Sequence, residues 1–144
     1  MDINVLFAED AVEIDGVKYH HHPNGGGMVA ETAYVAKTAY IGPFAKICHN
    51  ARVTGEACVF GNAWVFDNAE VSDRADVFGN ARVFGSAKIC DDAKVYGFAS
   101  VFGNAKVSGF AEVYDFAEVS GNARVSFKTR VPGSTKITGD TTAE

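Results

Sequence analysis

Residues 77–94 read Val77-Phe-Gly-Asn-Ala-Arg82, Val83-Phe-Gly-Ser-Ala-Lys88 and Ile89-Cys-Asp-Asp-Ala-Lys94, three six-residue phrases on one plan. Outward from this stretch, an aliphatic residue recurs at every sixth position from Val29 to Ile137. That makes nineteen unbroken hexads, fifteen opening on Val and four on Ile. Four residues after each aliphatic stands a small one: Ala in the first sixteen hexads (Ala33 to Ala123) and Thr in the last three (Thr129, Thr135, Thr141). Two residues after the aliphatic stands Gly in ten hexads, or Asp at Asp67, Asp73, Asp91 and Asp115, often followed by Asn.

A period of six fits neither a helix nor a simple alternating strand. Each hexad reads as a short strand and a corner. The small residue and the next aliphatic point inward with one outward residue between them. The Gly-Asn or Asp-Asn pair turns the chain, because these residues tolerate positive φ at least cost. Three hexads close one triangular coil. Nineteen make about six coils, roughly 30 Å of solenoid at the inter-strand spacing of a sheet.

Runs such as Val77-Phe-Gly-Asn-Ala-Arg82 and Val101-Phe-Gly-Asn-Ala-Lys106 resemble the hexapeptide repeat of left-handed β-helix proteins, a group that includes bacterial acyltransferases. The resemblance covers residues 29–142. It implies an all-β fold, a single-stranded left-handed parallel β-helix; the hand comes from the resemblance, since general crossover rules favour the right. Proteins with this repeat are commonly homotrimers packed side by side, which implies a homo-oligomer, trimer or dimer. Short, loopless repeats behind a small hairpin and a Gly-rich segment are also similar to uncharacterised proteins of phages and prophages. That likeness implies a phage-encoded factor that binds or inhibits a host component, a defence system included, or a structural protein of fibre or decoration type.

Residues 1–28 stand outside the repeat. Val12-Glu-Ile-Asp15-Gly16-Val-Lys-Tyr19 sets Asp-Gly between alternating apolar residues, a strong hairpin signal, and His20 to Gly27 reads as a flexible loop. The expectation is a hairpin cap on the N-terminal end of the solenoid, because terminal repeats need one. Residues 143–144 read as a frayed tail.

Every third hexad stacks on the same face, so the sequence divides into three columns. One carries Phe60, Phe78, Tyr96 and Tyr114. A second carries Cys48, Phe66, Phe84 and Phe102, with Trp64 alongside. The third is small and polar (Thr54, Ser72, Cys90, Ser108, Ser126), beside Arg52, Glu70, Lys88, Lys106 and Arg124; Phe44, Phe98 and Phe116 share a corner. The aromatic columns can cover themselves by stacking one coil apart. They can also form an interface, since outward rings on a narrow solenoid add up to a large apolar patch. The row of Arg52, Lys88, Lys106 and Arg124 is either a solvated face or a site for an anionic ligand or an acidic host partner.

A net charge of -5 argues against general nucleic-acid or membrane binding, and no ring lies within the basic row for bases to stack on. Cys48, Cys58 and Cys90 are odd in number and lack CxxC spacing, which suits free thiols in a reducing cytoplasm. Nothing in the first fifteen residues looks like a signal peptide, and no stretch approaches the roughly 18 apolar residues of a membrane span.

For catalysis the candidates are sparse. Acyltransferases resembling this fold carry loop insertions and use a histidine base between subunits; here the one histidine in the repeat is His49, at a corner. Carbonic anhydrases resembling it bind zinc through three histidines spread over coils; here His20, His21 and His22 are consecutive, a poor arrangement for converging on one ion. The serines and cysteines lack a His-Asp constellation. The reading is a binding or scaffold protein without a cofactor, its rival a minimal acyltransferase with a site between subunits built around His49.

Overall fold

The last residue of one hexad and the aliphatic of the next form a two-residue strand, and strands three hexads apart lie side by side. Val83 pairs in parallel register with Val65 on one side and Val101 on the other. The structure, a computed structural model, describes residues 11–144; the first ten residues of the expected cap, on which the signal-peptide reading rests, lie outside the described residues. Stacking produces three sheets of nine, seven and six strands around a single-stranded, left-handed parallel β-helix of about six coils.

The core is the inward pair of each hexad. From Ala39 to Ala123 every alanine of the pattern is at most 1% exposed, and the aliphatics from Ile41 to Val125 are fully buried. Burying such a side chain is worth roughly 1.5–3 kcal/mol. The pattern therefore supplies cohesion evenly along the axis rather than in one central core, as expected of a solenoid in which each coil touches only its neighbours.

The corners explain the choice of third residue. From His49 to Gly139 it adopts positive φ, as at Gly103 (64°), Asp67 (58°) and His49 (56°). The coil-to-coil ladder takes the amides of the second, fourth and sixth hexad residues, as at Phe60, Asn62 and Trp64. The amide of the third has no carbonyl to meet. Where that residue is Asp, its carboxylate accepts the corresponding N–H one coil on: Gly85 to Asp67 (3.1 Å), Asp91 to Asp73 (3.0 Å), Gly109 to Asp91 (2.8 Å) and Gly133 to Asp115 (2.9 Å). Asp thus trades some backbone freedom for a satisfied donor.

At the N-terminal end, β1 (Val12–Ile14) and β2 (Val17–His21) form the expected hairpin. Asp15 and Gly16 both have positive φ (51° and 79°), as a two-residue type I′ turn requires. β2 pairs antiparallel with β3 (Met28–Ala30), so the hairpin extends the nine-stranded sheet alone. Cover over the next face comes from the segment that composition reads as a flexible loop. Gly27 donates to Ile41 O (2.9 Å) and Ile41 N–H donates to Asn24 O (3.0 Å). A Cβ on Gly25 would lie 2.1 Å from the Ile41 carbonyl oxygen, which explains the glycine there.

At the other end, Arg130–Val131, Lys136–Ile137 and Thr142–Ala143 are the last strands of the three sheets. Ala143 pairs with Val125 and packs on the core, so the solenoid runs past the expected boundary at 142. Lys136, Pro132 and the threonines at the core positions make this open edge polar and poor at adding another strand.

Candidate functional site

The two aromatic columns are continuous stacks. On the six-stranded face the ring centroids of Phe60, Phe78, Tyr96 and Tyr114 follow one another at 4.8, 4.8 and 5.2 Å, with planes within 7° of parallel. On the nine-stranded face Phe66, Phe84 and Phe102 stack at 4.8 and 4.9 Å. All seven rings are half-buried, each lying on at least one ring neighbour. Trp64 packs against Phe66 (4.6 Å), donates its indole N–H to the Cys48 sulfur (3.2 Å) and lies beneath the Arg82 guanidinium (5.8 Å).

The most exposed rings stand at the corners instead. Phe44, Phe98 and Phe116 are 74, 56 and 63% exposed. They follow the six-stranded face, in the fourth hexad position where Asn62 and Asn80 occupy the intervening coils. Phe98 and Phe116 stack on each other (5.2 Å, 8°). At the corner after the seven-stranded face, Phe110 and Phe127 are 61 and 63% exposed and border an open groove of about 540 Å³ with Lys128, Thr129 and Glu144. Phe127 holds φ of 56°, where every neighbouring coil of the regular repeat places Gly or Asp. Sequence reasoning missed Phe110 and Phe127; the signal was present, since each replaces a turn residue with a ring.

The seven-stranded face carries the basic row in register: Arg52, Glu70, Lys88, Lys106 and Arg124 stack one coil apart. The four cations are exposed, and the Arg52 guanidinium lies 5.2 Å from the Tyr34 ring centre. The six-stranded face is different, its outward charges alternating as Asp76, Lys94, Glu112 and Arg130. There Arg130 approaches Glu112 (3.6 Å) and Tyr96 donates its hydroxyl to Glu112 (2.9 Å).

His49 occupies the third hexad position, and its Nδ1 accepts the Asp67 N–H (3.2 Å), the role carboxylates fill in other coils. Its Nδ1 also lies 3.1 Å from Asp67 Oδ1, the contact a protonated ring would make. Both partners belong to the turn ladder. His20 and His21 end β2, where successive side chains alternate sides, and His22 follows the strand. His21 Nδ1 lies 2.8 Å from Gly26 O, while His22, 4% exposed, places Nε2 3.0 Å from Ala39 O. Burial pushes His22 below its ordinary range, opposed by the Ala39 bond. Burial does the same to His20, with His22 and His21 adding to it.

One further cluster, Asp73, Cys90 and Asp91, brings three donor atoms within 4.8 Å of one another. Both carboxylates already accept corner amides, and burial, aided by Asp91, raises the Cys90 thiol above its usual range, which opposes the thiolate a metal would need.

The chain matches no family model, no curated protein and no solved structure. Among the described residues no helix is long and apolar enough to cross a membrane. The geometry itself is therefore the basis for a functional reading. It offers three flat faces and two corners with exposed rings.

Proposed function

We propose that this chain is a non-catalytic binding or scaffold protein that works as a homo-oligomer, a trimer or dimer of solenoids packed side by side. The observation that carries this reading is the exposed ridge of Phe98 and Phe116, with Phe44 exposed at the same corner three coils away. A solenoid turns most economically on Gly, Asn and Asp, yet three coils of this corner place phenylalanine in water. Exposed rings of this kind, with the edges of Tyr96 and Tyr114 beside them, form the apolar centre that association surfaces need. The regular face beyond the ridge is left for a partner. The likeness of the repeats to those of phage and prophage proteins supports a narrower form of the reading, a phage-encoded factor that binds or inhibits a host component.

The test is the solution mass of the wild type and of Phe98→Glu/Phe116→Glu, by light scattering on a sizing column. Both residues are outside the core, so the variant keeps its fold, checked by circular dichroism. A multiple of the chain mass that falls to one chain in the variant supports the reading. A wild type that runs as a single chain overturns its self-association.

A further inference from the structure

Outward charges on the six-stranded face are arranged to neutralise each other from coil to coil, and on the nine-stranded face no two cations are direct register partners. Asp76, Lys94, Glu112 and Arg130 alternate in sign on the six-stranded face, and Glu118 meets Lys136 at 3.4 Å on the nine-stranded one. The seven-stranded face breaks this rule. Lys88, Lys106 and Arg124 are direct register partners over three consecutive coils with no carboxylate between them. Like charges directly opposite in a ladder destabilise it, and all three are exposed. They stand above a low floor of Ser72, Cys90, Ser108 and Ser126, half-buried side chains that leave the row accessible.

Two features narrow what would complement this row. The positive strip is flanked along its corner by Asp73, Asp91 and Asp92, the last paired with Arg74 (3.0 Å). The chain as a whole carries -5, which disfavours a nucleic-acid backbone. The corner that follows this face carries, near the C-terminal end, the groove between Phe110 and Phe127, lined also by Lys128, Thr129 and Glu144. Phe127 keeps its ring there in a backbone conformation that bulky residues avoid, and such outliers cluster at functional sites.

Spacing chooses between partner shapes. The coil repeat, read from the stacked rings, is 4.8–4.9 Å. Acids at i, i+3 and i+7 of a helix are separated by roughly 4.5 and 6.0 Å along its axis. Alternate residues of an extended strand lie roughly 6.7 Å apart and drift out of register. We infer that the seven-stranded face docks an acidic helix of a partner protein, its carboxylates on Lys88, Lys106 and Arg124 and an apolar side chain in the Phe110–Phe127 groove. This rests on the binding reading above but not on its self-association.

The experiment titrates the protein into a fluorescein-labelled Ala-rich helical peptide bearing Glu at i, i+3 and i+7 and one Leu a turn beyond. The comparisons are the same peptide with Gln for Glu and a twenty-nucleotide oligo-dT. The Glu peptide binds at least tenfold more tightly than either, with an affinity that falls as salt rises. Lys106→Glu weakens it at least tenfold and raises Tm, because the row then alternates in sign. Lys46→Glu, on the nine-stranded face, leaves affinity unchanged. Equal binding of the Gln peptide, full affinity in Lys106→Glu, or tighter binding of oligo-dT overturns the inference. Solution mass from the same samples separates the two claims: a monomer that binds the peptide refutes self-association and leaves the docking face standing.

Discussion

The His49 imidazole and the Asp67 backbone amide, one coil apart, meet at 3.2 Å with Nδ1 as acceptor. That contact makes His49 an equivalent of the corner aspartates in the turn ladder. Asp67 repeats the contact toward Gly85 in the next coil. Two successive caps therefore link three coils at this corner, ending at Gly85.

Substitution at position 49 should follow turn chemistry. His49→Asp retains the cap and the tolerance for positive φ, and is expected to keep the wild-type Tm. His49→Val loses both and is expected to cost on the order of 2 kcal/mol. Urea denaturation of the two variants measures the difference; equal stability would show that the contact contributes nothing.

Phe127→Gly should stabilise the protein. The residue holds φ of 56° with an exposed ring, and relieving a left-handed conformation is worth about 1 kcal/mol after the entropy of the glycine is subtracted. The check is a rise in the denaturation midpoint. A fall would mean that the ring makes contacts that outweigh the backbone cost.

The cap should be sensitive to mild acid. Burial holds His22 below the ordinary value of 6.5, and His20 likewise. A depressed histidine binds its proton more readily in the unfolded chain. The stability it contributes is therefore complete above pH 6.5 and declines as pH falls through 6.5 toward the folded value. Tm is expected to drop between pH 7 and pH 5.5, and His22→Gln, whose amide can still donate to Ala39 O, should flatten that drop. An unchanged slope in the variant would remove His22 as its cause.

Core substitutions should act locally but strongly. Ile89 is fully buried between Val71 and Val107 in its sheet. Ile89→Ala is expected to cost about 2–5 kcal/mol, whereas Ile137→Ala, in the open last coil, should cost much less. Denaturant titration of the pair tests this gradient, and equal losses would contradict the picture of an open, polar C-terminal end.

The fold was legible because the aliphatic and alanine positions are held at one period over most of the chain. Asp15-Gly16 announced its hairpin in the same way, as local chemistry. Membership of columns was legible too, since Lys88, Lys106 and Arg124 follow from counting eighteen residues at a time. What a column does was harder to read. Phe78 and Phe84 read equally as self-stacked rings or as an interface, and the stacking distances establish the first without deciding what their edges meet. Gly25 and Gly27 look like slack until Ile41 is found against them. His49 has no sequence neighbour to explain it, because its partner is one coil away. Phe110 and Phe127 are departures from the repeat, and a pattern built from regular positions passes over them.

The measurement that bears most directly on the account is native mass spectrometry of the wild-type protein at micromolar concentration. The account predicts a dimer or trimer of the 15.3 kDa chain. A lone 15.3 kDa species that persists as concentration is raised would contradict it.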